Sequence, residues 1–542
     1  MQLYGTYNYI IVGAGAAGCV LANRLTKDPE TRVLLLEAGG KDDWMWIKIP
    51  VGYLYCIGNP RTDWCYQTEP QEGLNGRSIL YARGKTLGGS TSINAMLYMR
   101  GQQRDYDEWA QLSGDESWNW KSVTRHFMKS EDYWRGADEI HATGGEWRVE
   151  QQRLHWDILD RFVEAAGQAG IAESEDFNRG DNSGVGRFEV NQKRGTRWSA
   201  SRGFLDPTRH RPNLTVVTGA LSDKLIYNDT NSVEGIEFIL DGERFYAAAL
   251  TETILAAGAI GSPAILQRSG IGPVEVLQKA GIEPVLELPG VGQNLQDHLQ
   301  LRTIFKVEGI KTLNQQYHSL KGKLSMALEY LLFRKGPLSM APSQLGAFLK
   351  SDASVETPDL EYHVQPLSLD KFGEPLHKFP AFTASICDLR PTSRGYVNVT
   401  DNDPASAPAI SPEYLSTDED RTKAAQALRI TREIVSQDAF KPFKPVEHLP
   451  GIQYQNNDEL AHAAGDVGTT IFHPVGTCKM GKTDDPAAVV DSHLRVIGMK
   501  GLRVVDASIM PIITSGNTSS PTIMIAEKGS EMILQDRERL LR

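Results

Sequence analysis

The stretch Tyr9-Ile-Ile-Val-Gly13-Ala-Gly15-Ala-Ala-Gly18 decides how this chain folds. Tyr9 to Val12 is a short apolar run of the kind that forms a buried parallel strand. A Gly-x-Gly-x-x-Gly turn follows at once. Its first glycine makes the tight turn, its second lets backbone approach a pyrophosphate, and its third lets helix and strand pack closely. Ala16 to Lys27 reads as a helix with Val20, Leu21 and Leu25 on one face. The free N–H groups and partial positive charge at its start suit phosphates. Arg32 to Leu36 is a second apolar strand. It ends at Glu37, 19 positions after Gly18, where an acceptor for a ribose hydroxyl belongs. One βαβ unit of about 30 residues results, which predicts a Rossmann-like α/β domain for a dinucleotide. The unit alone leaves NAD and FAD both open.

Outward from this unit, Lys41 to about Gly84 is too long for a simple connector and is expected to wrap over a cofactor. Strand signals recur at Leu214 to Thr218 and Thr253 to Ala256. Residues 305–465 change style, alternating strands (Asp359 to Gln365, Tyr396 to Thr400) with a helical pattern (Thr422 to Gln437). The tail returns to the first style, with a strand from Leu502 to Val505, a Gly/Asn/Ser loop, and a helix from Pro521 to about Leu541. The layout predicted is a discontinuous cofactor domain (1–155, 195–305 and 466–542). It is interleaved with an α+β substrate domain (156–194 and 306–465) built on an antiparallel sheet. Lys323 to Phe333 carries Leu324, Leu328, Leu331 and Leu332 at helical spacing, flanked by Lys321, Arg334 and Lys335. Packing over the substrate domain is the preferred reading, and peripheral contact with a membrane the second.

The 542 residues are 40% hydrophobic and 23% charged, as in a globular protein with a large core. A net charge of -11 argues against nucleic acid as a partner. The five cysteines (Cys19, Cys56, Cys65, Cys387, Cys478) are odd in number and lack a CxxC pair. Neither a disulfide framework nor a metal site is expected, and a reducing compartment fits. No leader and no span of ~18 apolar residues is seen. The expected location is the cytoplasm, with peripheral attachment at the inner membrane as the variant.

Two further glycine-rich segments, Gly84-Lys-Thr-Leu-Gly88-Gly89-Ser90-Thr91-Ser92-Ile93-Asn94-Ala95 and Gly258-Ala-Ile-Gly-Ser262-Pro263 through Ser269-Gly270-Ile271-Gly272, resemble the paired signatures of the glucose–methanol–choline oxidoreductase family. Family-like segments continue in order: Arg104 to Trp109, Gln293-Asn-Leu-Gln-Asp-His298, Arg390-Pro-Thr-Ser-Arg-Gly395, His473-Pro-Val-Gly, Val505-Asp506-Ala507-Ser508 and Gly516-Asn517-Thr518. The resemblance covers nearly the whole chain and is nearest the choline and aliphatic alcohol dehydrogenase branch. It implies an FAD-dependent oxidoreductase acting on alcohols. Gly13, Gly15, Ala16, Ala17, Gly18 and Glu37 would serve the dinucleotide. Thr86, Gly89, Ser90, Asn94, Ala95 and Met96 would lie along the flavin, with Asn517 and Thr518 at its other side. Ser222 would hold adenine through its backbone, and Asp506 and Ala507 would meet the phosphate or ribityl chain. Some family members attach FAD through a histidine just before the asparagine; Ile93 stands there, which predicts non-covalent FAD.

Alcohol oxidation requires loss of the hydroxyl proton and transfer of a hydride to flavin N5. A neutral imidazole suits the first task. His473 follows a β-like run (Thr469 to Phe472), precedes Pro474, which favours extended backbone, and matches the family's catalytic histidine. Asn517 occupies the family's second active-site position, where its amide can hold the substrate oxygen. Thr518, Ser519 and Ser520 offer N-cap oxygens to the helix that follows, with Pro521 in its first turn and Arg537, Arg539 and Arg542 at its far end. His298 reads as structural. Trp64, Tyr66 and Phe472 fit a pocket or the core equally well, and Val475 is a candidate border of an oxygen cavity. The substrate is a small-molecule alcohol, and the acceptor a quinone or oxygen. A direct oxidase, a lyase and a light-driven decarboxylase on the same scaffold are the alternatives. Against the decarboxylase stand the intact His473-Pro474 pair and Leu389 before Arg390.

Overall fold

The structure, a computed structural model, describes residues 1–370 and 374–541. Two seven-stranded sheets organise it. The glycine turn caps the central strand of the first, Gln2–Val12. That strand runs parallel to Val33–Glu37 on one side and to the long strand Glu243–Leu255 on the other. Leu214–Thr218 and Leu502–Val504 extend the parallel set outward. Five strands therefore end at the same edge. The first half of Glu243–Leu255 instead carries an antiparallel extension, Val233–Leu240 and Leu221–Tyr227. Continuous apolar runs make this sheet: Ile10, Ile11 and Val33 to Leu35 are fully buried, as parallel strands covered on both faces must be.

Helix Ala16–Leu25 packs against Ser519–Leu541. A buried ion pair joins them, Arg24 to Glu527, and Lys129 reaches the same carboxylate at 2.8 Å. The tail helix starts at Ser519, two residues before the expected Pro521. The hydroxyls of Ser519 and Ser520 are buried without a partner instead of capping it. Arg537 meets Asp28 at 2.6 Å, and Arg542 lies outside the described residues.

The second sheet is antiparallel throughout: Val446–Leu449, Leu299–Lys306, Ala381–Asp388, Leu360–Gln365, Leu345–Leu349 and Gly184–Arg187, with Gly468–Thr470 also beside Leu299–Lys306. Residues 299–305 and Gly468–Thr470 fall within the stretches expected in the cofactor domain, and both belong to strands of this second sheet. Alternation divides its two faces. Leu360, Tyr362, Val364, Phe382, Ala384 and Ile386 form a core with Phe162, Leu428 and Ile434 of the helices Asp157–Gln168 and Asp418–Val435. Gln300, Arg302, Glu361, His363, Gln365 and Ser385 occupy the opposite face, all buried.

Two expectations are corrected here. Helix Leu320–Phe333 buries only Met326 and Tyr330. Leu324, Leu328, Leu331 and Leu332 are 62%, 48%, 67% and 69% exposed, so they do not pack over the substrate domain. Phe472 is not extended but left-handed, at φ 67°. All five cysteines are free thiols. Among the described residues no helix is long and apolar enough to cross a membrane.

Candidate active site

One long cavity runs along the edge where the parallel strands end. Its first half is built from strand-to-helix turns. Gly13, at φ 101°, turns so tightly that a Cβ there would sit 2.5 Å from the Ala256 carbonyl oxygen. Only a glycine serves at such an angle and distance. Gly15, Ala16 and Ala17 continue the lining at the start of the first helix, and Ala257, Gly258 and Ala259 do so at the start of helix Gly258–Arg268. Two helix N-termini thus open onto one cavity, an arrangement that suits pyrophosphate. Glu37 faces it too. One carboxylate oxygen accepts from Ala14 N at 2.9 Å and the other from Gly39 N at 2.8 Å. Burial pushes its pKa up to about 7. Ser222 lines the cavity from strand Leu221–Tyr227.

Asp506 closes this half. Its carboxylate accepts from Gly258 N (2.8 Å), Ser262 Oγ (2.6 Å), Ser508 N (2.8 Å) and Ser508 Oγ (2.5 Å). It ties the last strand to the helix Gly258–Arg268, and Ala507 lines the wall beside it. Gly89, Ser90, Asn94, Ala95 and Met96 line the next part. Asn94 Oδ1 accepts from Arg197 Nη1 at 2.9 Å and from Met96 N at 3.0 Å. Met96 has φ 62°, a strained value for a side chain other than glycine.

Two expected contact residues lie off the lining. Gly18 sits beneath the turn, where a Cβ would come 1.8 Å from Gly13 O; its task is helix-to-turn packing. Thr86 Oγ1 is spent on Gly40 O at 3.1 Å. Val475 is likewise part of the core, its backbone paired with Gln296, and does not border the cavity. Trp64, Tyr66 and Phe472 do line it. So do Tyr53, Ile57, Ala82, Arg83 and Gly84, which places the Lys41–Gly84 stretch against the cavity as expected.

His473 and Asn517 meet at the far end, both buried. Asn517 Nδ2 lies 3.0 Å from His473 Nε2. The other ring nitrogen, Nδ1, lies 3.0 Å from Nδ1 of His298, whose Nε2 in turn lies 3.2 Å from the Leu389 carbonyl oxygen. The order of donors follows from the ends. A carbonyl only accepts, so His298 carries its proton on Nε2 and, when neutral, offers a lone pair at Nδ1. His473 must then donate from Nδ1, which leaves its Nε2 free to accept a proton. Its backbone is fixed as well: Asp297 accepts from His473 N at 2.7 Å, from Thr470 Oγ1 at 2.6 Å and from the Tyr414 hydroxyl. The Asp297-His298 pair read as structural therefore holds both backbone and ring of His473. Adjacency to His473 in space was not visible in its sequence position. Burial, then the neighbouring His298, His363 and Arg83, hold the His473 pKa well below the ordinary 6.5. Gln300, Ser343, His363 and Gln365, reached from the second sheet and the segment before it, complete this end; no local motif marks them.

The chain matches two models of the GMC oxidoreductase family, over residues 7–300 and 391–526. It belongs to that family. It is 40% identical to an alcohol dehydrogenase (acceptor) of Pseudomonas putida, across 98% of this chain and 96% of the relative. It is 39% identical to an oxygen-dependent choline dehydrogenase of Chromohalobacter salexigens, across 97% and 94%. The structure of pyridoxine 4-oxidase from Mesorbium loti superposes with a TM-score of 0.87, at 32% identity and 97% and 98% coverage. The chain is thus an FAD-dependent oxidoreductase acting on CH–OH groups. The cavity fits that cofactor. Beside the glycine turns, Asn517 Oδ1 and Ser519 Oγ are buried at its wall with no partner in the protein, and buried polar atoms of this kind need one.

Proposed function

We propose that this protein oxidises a primary or secondary alcohol to the aldehyde or ketone, with His473 Nε2 taking the hydroxyl proton. The observation that carries the reading is the Leu389–His298–His473–Asn517 series, which leaves one nitrogen free to accept and points it at an amide donor. Because its pKa is depressed, His473 is neutral, and so able to accept, at neutral pH. Asn517 Nδ2 donates to the alcohol oxygen as negative charge grows there. FAD, when bound, supplies the acceptor for the hydride leaving the carbon. The residues assigned to it are Gly13, Gly15, Ala16, Ala17, Glu37, Ser222, Asp506 and Ala507 along the dinucleotide. Gly89, Ser90, Asn94, Ala95, Met96, Asn517 and Thr518 attend the flavin. Ile93 supports a non-covalent hold, since its hydrocarbon side chain offers no nucleophile. The electrons then pass to a quinone-like acceptor or to oxygen.

Anaerobic addition of alcohols to the holoenzyme tests the reading. Bleaching of the yellow flavin is expected with at least one simple alcohol. His473→Ala is expected to lower kcat/KM by about 10²–10⁴ while FAD stays bound. Undiminished turnover in that variant would remove the base assignment. Reoxidation by oxygen against a quinone analogue then separates the two acceptors.

A further inference from the structure

We propose that the site selects neutral alcohols over choline and other quaternary-ammonium alcohols, an inference that rests on the alcohol-oxidising reading above. A quaternary ammonium cannot donate a hydrogen bond. Buried, it needs a carboxylate or a free aromatic face. Among the described residues the only acidic ones lining the cavity are Glu37 and Asp506, and both are engaged with backbone N–H groups in its dinucleotide half. Around His473 the polar wall is Gln300, Gln365, Ser343 and His363. Glu361 is off the lining, 3.2 Å behind His363 Nε2, and presents no carboxylate to the cavity. Asp297, which accepts from His473 N at 2.7 Å, is off the lining as well, and the charged side chain on the wall beside His473 is the cation Arg83. The Trp64 ring is taken too. Lys85 Nζ sits 4.5 Å over the Trp64 ring, and Tyr66 stacks on Trp64 at 5.6 Å and 5°. A cation at this end would meet like charge and no carboxylate on the cavity wall, whereas a neutral alcohol of the same shape needs none.

Choline and 3,3-dimethylbutan-1-ol differ by one atom, a nitrogen cation for a carbon, and so isolate the charge. Stopped-flow reduction of the holoenzyme should give a kred/Kd at least tenfold higher for the neutral alcohol. Gln365→Glu, which places a carboxylate on the wall within reach of Ser343 Oγ, should narrow that ratio. Equal or faster reduction by choline in the unaltered enzyme overturns the inference and leaves alcohol oxidation standing. Absence of reduction by every alcohol removes the reading beneath it and this inference with it.

Independently, we infer that helix Leu320–Phe333 docks the protein on an anionic lipid surface. Leu320, Leu324, Leu328 and Leu331 recur at spacings of four, four and three, which puts them on one face. That face is open: Leu320 is 86% exposed, and Phe333 at the end is 63%. Residues 317–335 carry four cations, Lys321, Lys323, Arg334 and Lys335, against Glu329 alone, in a chain of net charge -11. Apolar residues between cations fit an interface of acyl chains and acidic headgroups. They do not fit a two-fold dimer, in which the basic ends of one helix would oppose those of its mate. Pro342 and Ser343, just beyond the helix in the chain, line the cavity, so a lipid surface here would lie beside the substrate's wall.

Sedimentation of the holoenzyme with vesicles tests this. At low salt it should pellet with mixed phosphatidylglycerol and phosphatidylcholine and about tenfold less with phosphatidylcholine alone. The double variant Leu324→Glu/Leu331→Glu should lose that binding and keep its FAD content and its reduction by a soluble alcohol. Protein that stays in the supernatant with acidic vesicles overturns the inference. So does a dimer in light scattering that the double variant converts to monomer.

Discussion

The two sheets bury strands for opposite reasons. In the parallel half of the first, both faces are apolar and both are covered, so apart from Glu37 its side chains hold the scaffold and the chemistry is left to backbone at the strand ends. In the second, one face is apolar and packs on helices, while the other is polar, equally buried, and shared with the end of the cavity where His473 sits. A site that binds phosphates through N–H groups tolerates change in side chains and not in backbone geometry. A site that discriminates substrates shows the reverse.

That contrast can be broken most severely at the turn. Gly18→Ala places a Cβ where it meets Gly13 O at 1.8 Å. Backbone must move to relieve it, so the expected loss exceeds about 4 kcal/mol. The variant should purify without FAD or not fold, as read from flavin content and thermal unfolding. A yellow, normally stable Gly18→Ala protein would show that this packing is looser than the geometry requires. At the other end of the cavity single side chains should cost rate and not cofactor. Asn517→Ala removes the donor to the developing oxyanion and is expected to lower kcat by roughly 10²–10³ with the flavin retained.

His298→Ala comes next, because Asp297 still holds the His473 backbone when the ring partner is gone. A fall in kcat/KM of roughly 10- to 100-fold is expected from the misplaced ring. A pH profile separates this from simple loss of structure. In the unaltered enzyme a depressed His473 pKa keeps the base neutral as pH falls through 6.5, so kcat/KM should stay level from pH 8 to 6.5 and decline only below it. Removing His298 takes away the lone pair that accepts from His473 Nδ1 and steadies its protonated ring, so the acidic limb should move further down. An unmoved limb would deny His298 its positioning role.

The same contrast explains what could be read from sequence. The glycine turn, Glu37 and the strand Leu214–Thr218 were legible because their determinants are local: a run of apolar residues, a required φ, a fixed spacing. His473 and Asn517 were legible from motifs. His298 appeared as structural because its partner lies 175 positions away. Gln300, His363 and Gln365 were silent for another reason. They are alternate residues of separate strands, and only the register Leu360–Gln365 against Ala381–Asp388 and Leu299–Lys306 brings that face together. The leucines of helix Leu320–Phe333 misled in the opposite sense, since helical spacing reports a face and not what covers it.

The finest division of the two roles is between neighbours on one strand. Tyr362 and His363 are adjacent in Leu360–Gln365 and point to opposite faces. Tyr362 is in the core, its hydroxyl 2.7 Å from Thr431 Oγ1. Thr431 keeps a second partner in Ala427 O at 2.9 Å, so Tyr362→Phe orphans nothing. It should cost only about 1 kcal/mol, read as a lower denaturation midpoint, and leave kcat/KM and its pH profile unchanged. His363→Gln should do the converse. The amide is close to the imidazole in size and polarity, so the midpoint should hold. The changed side chain on the cavity wall, however, should alter kcat/KM by roughly fivefold, equivalent to about 1 kcal/mol. Should Tyr362→Phe alter the pH profile, or His363→Gln alter only stability, the two faces would not be separate in function, and the second sheet would be scaffold on both sides like the first.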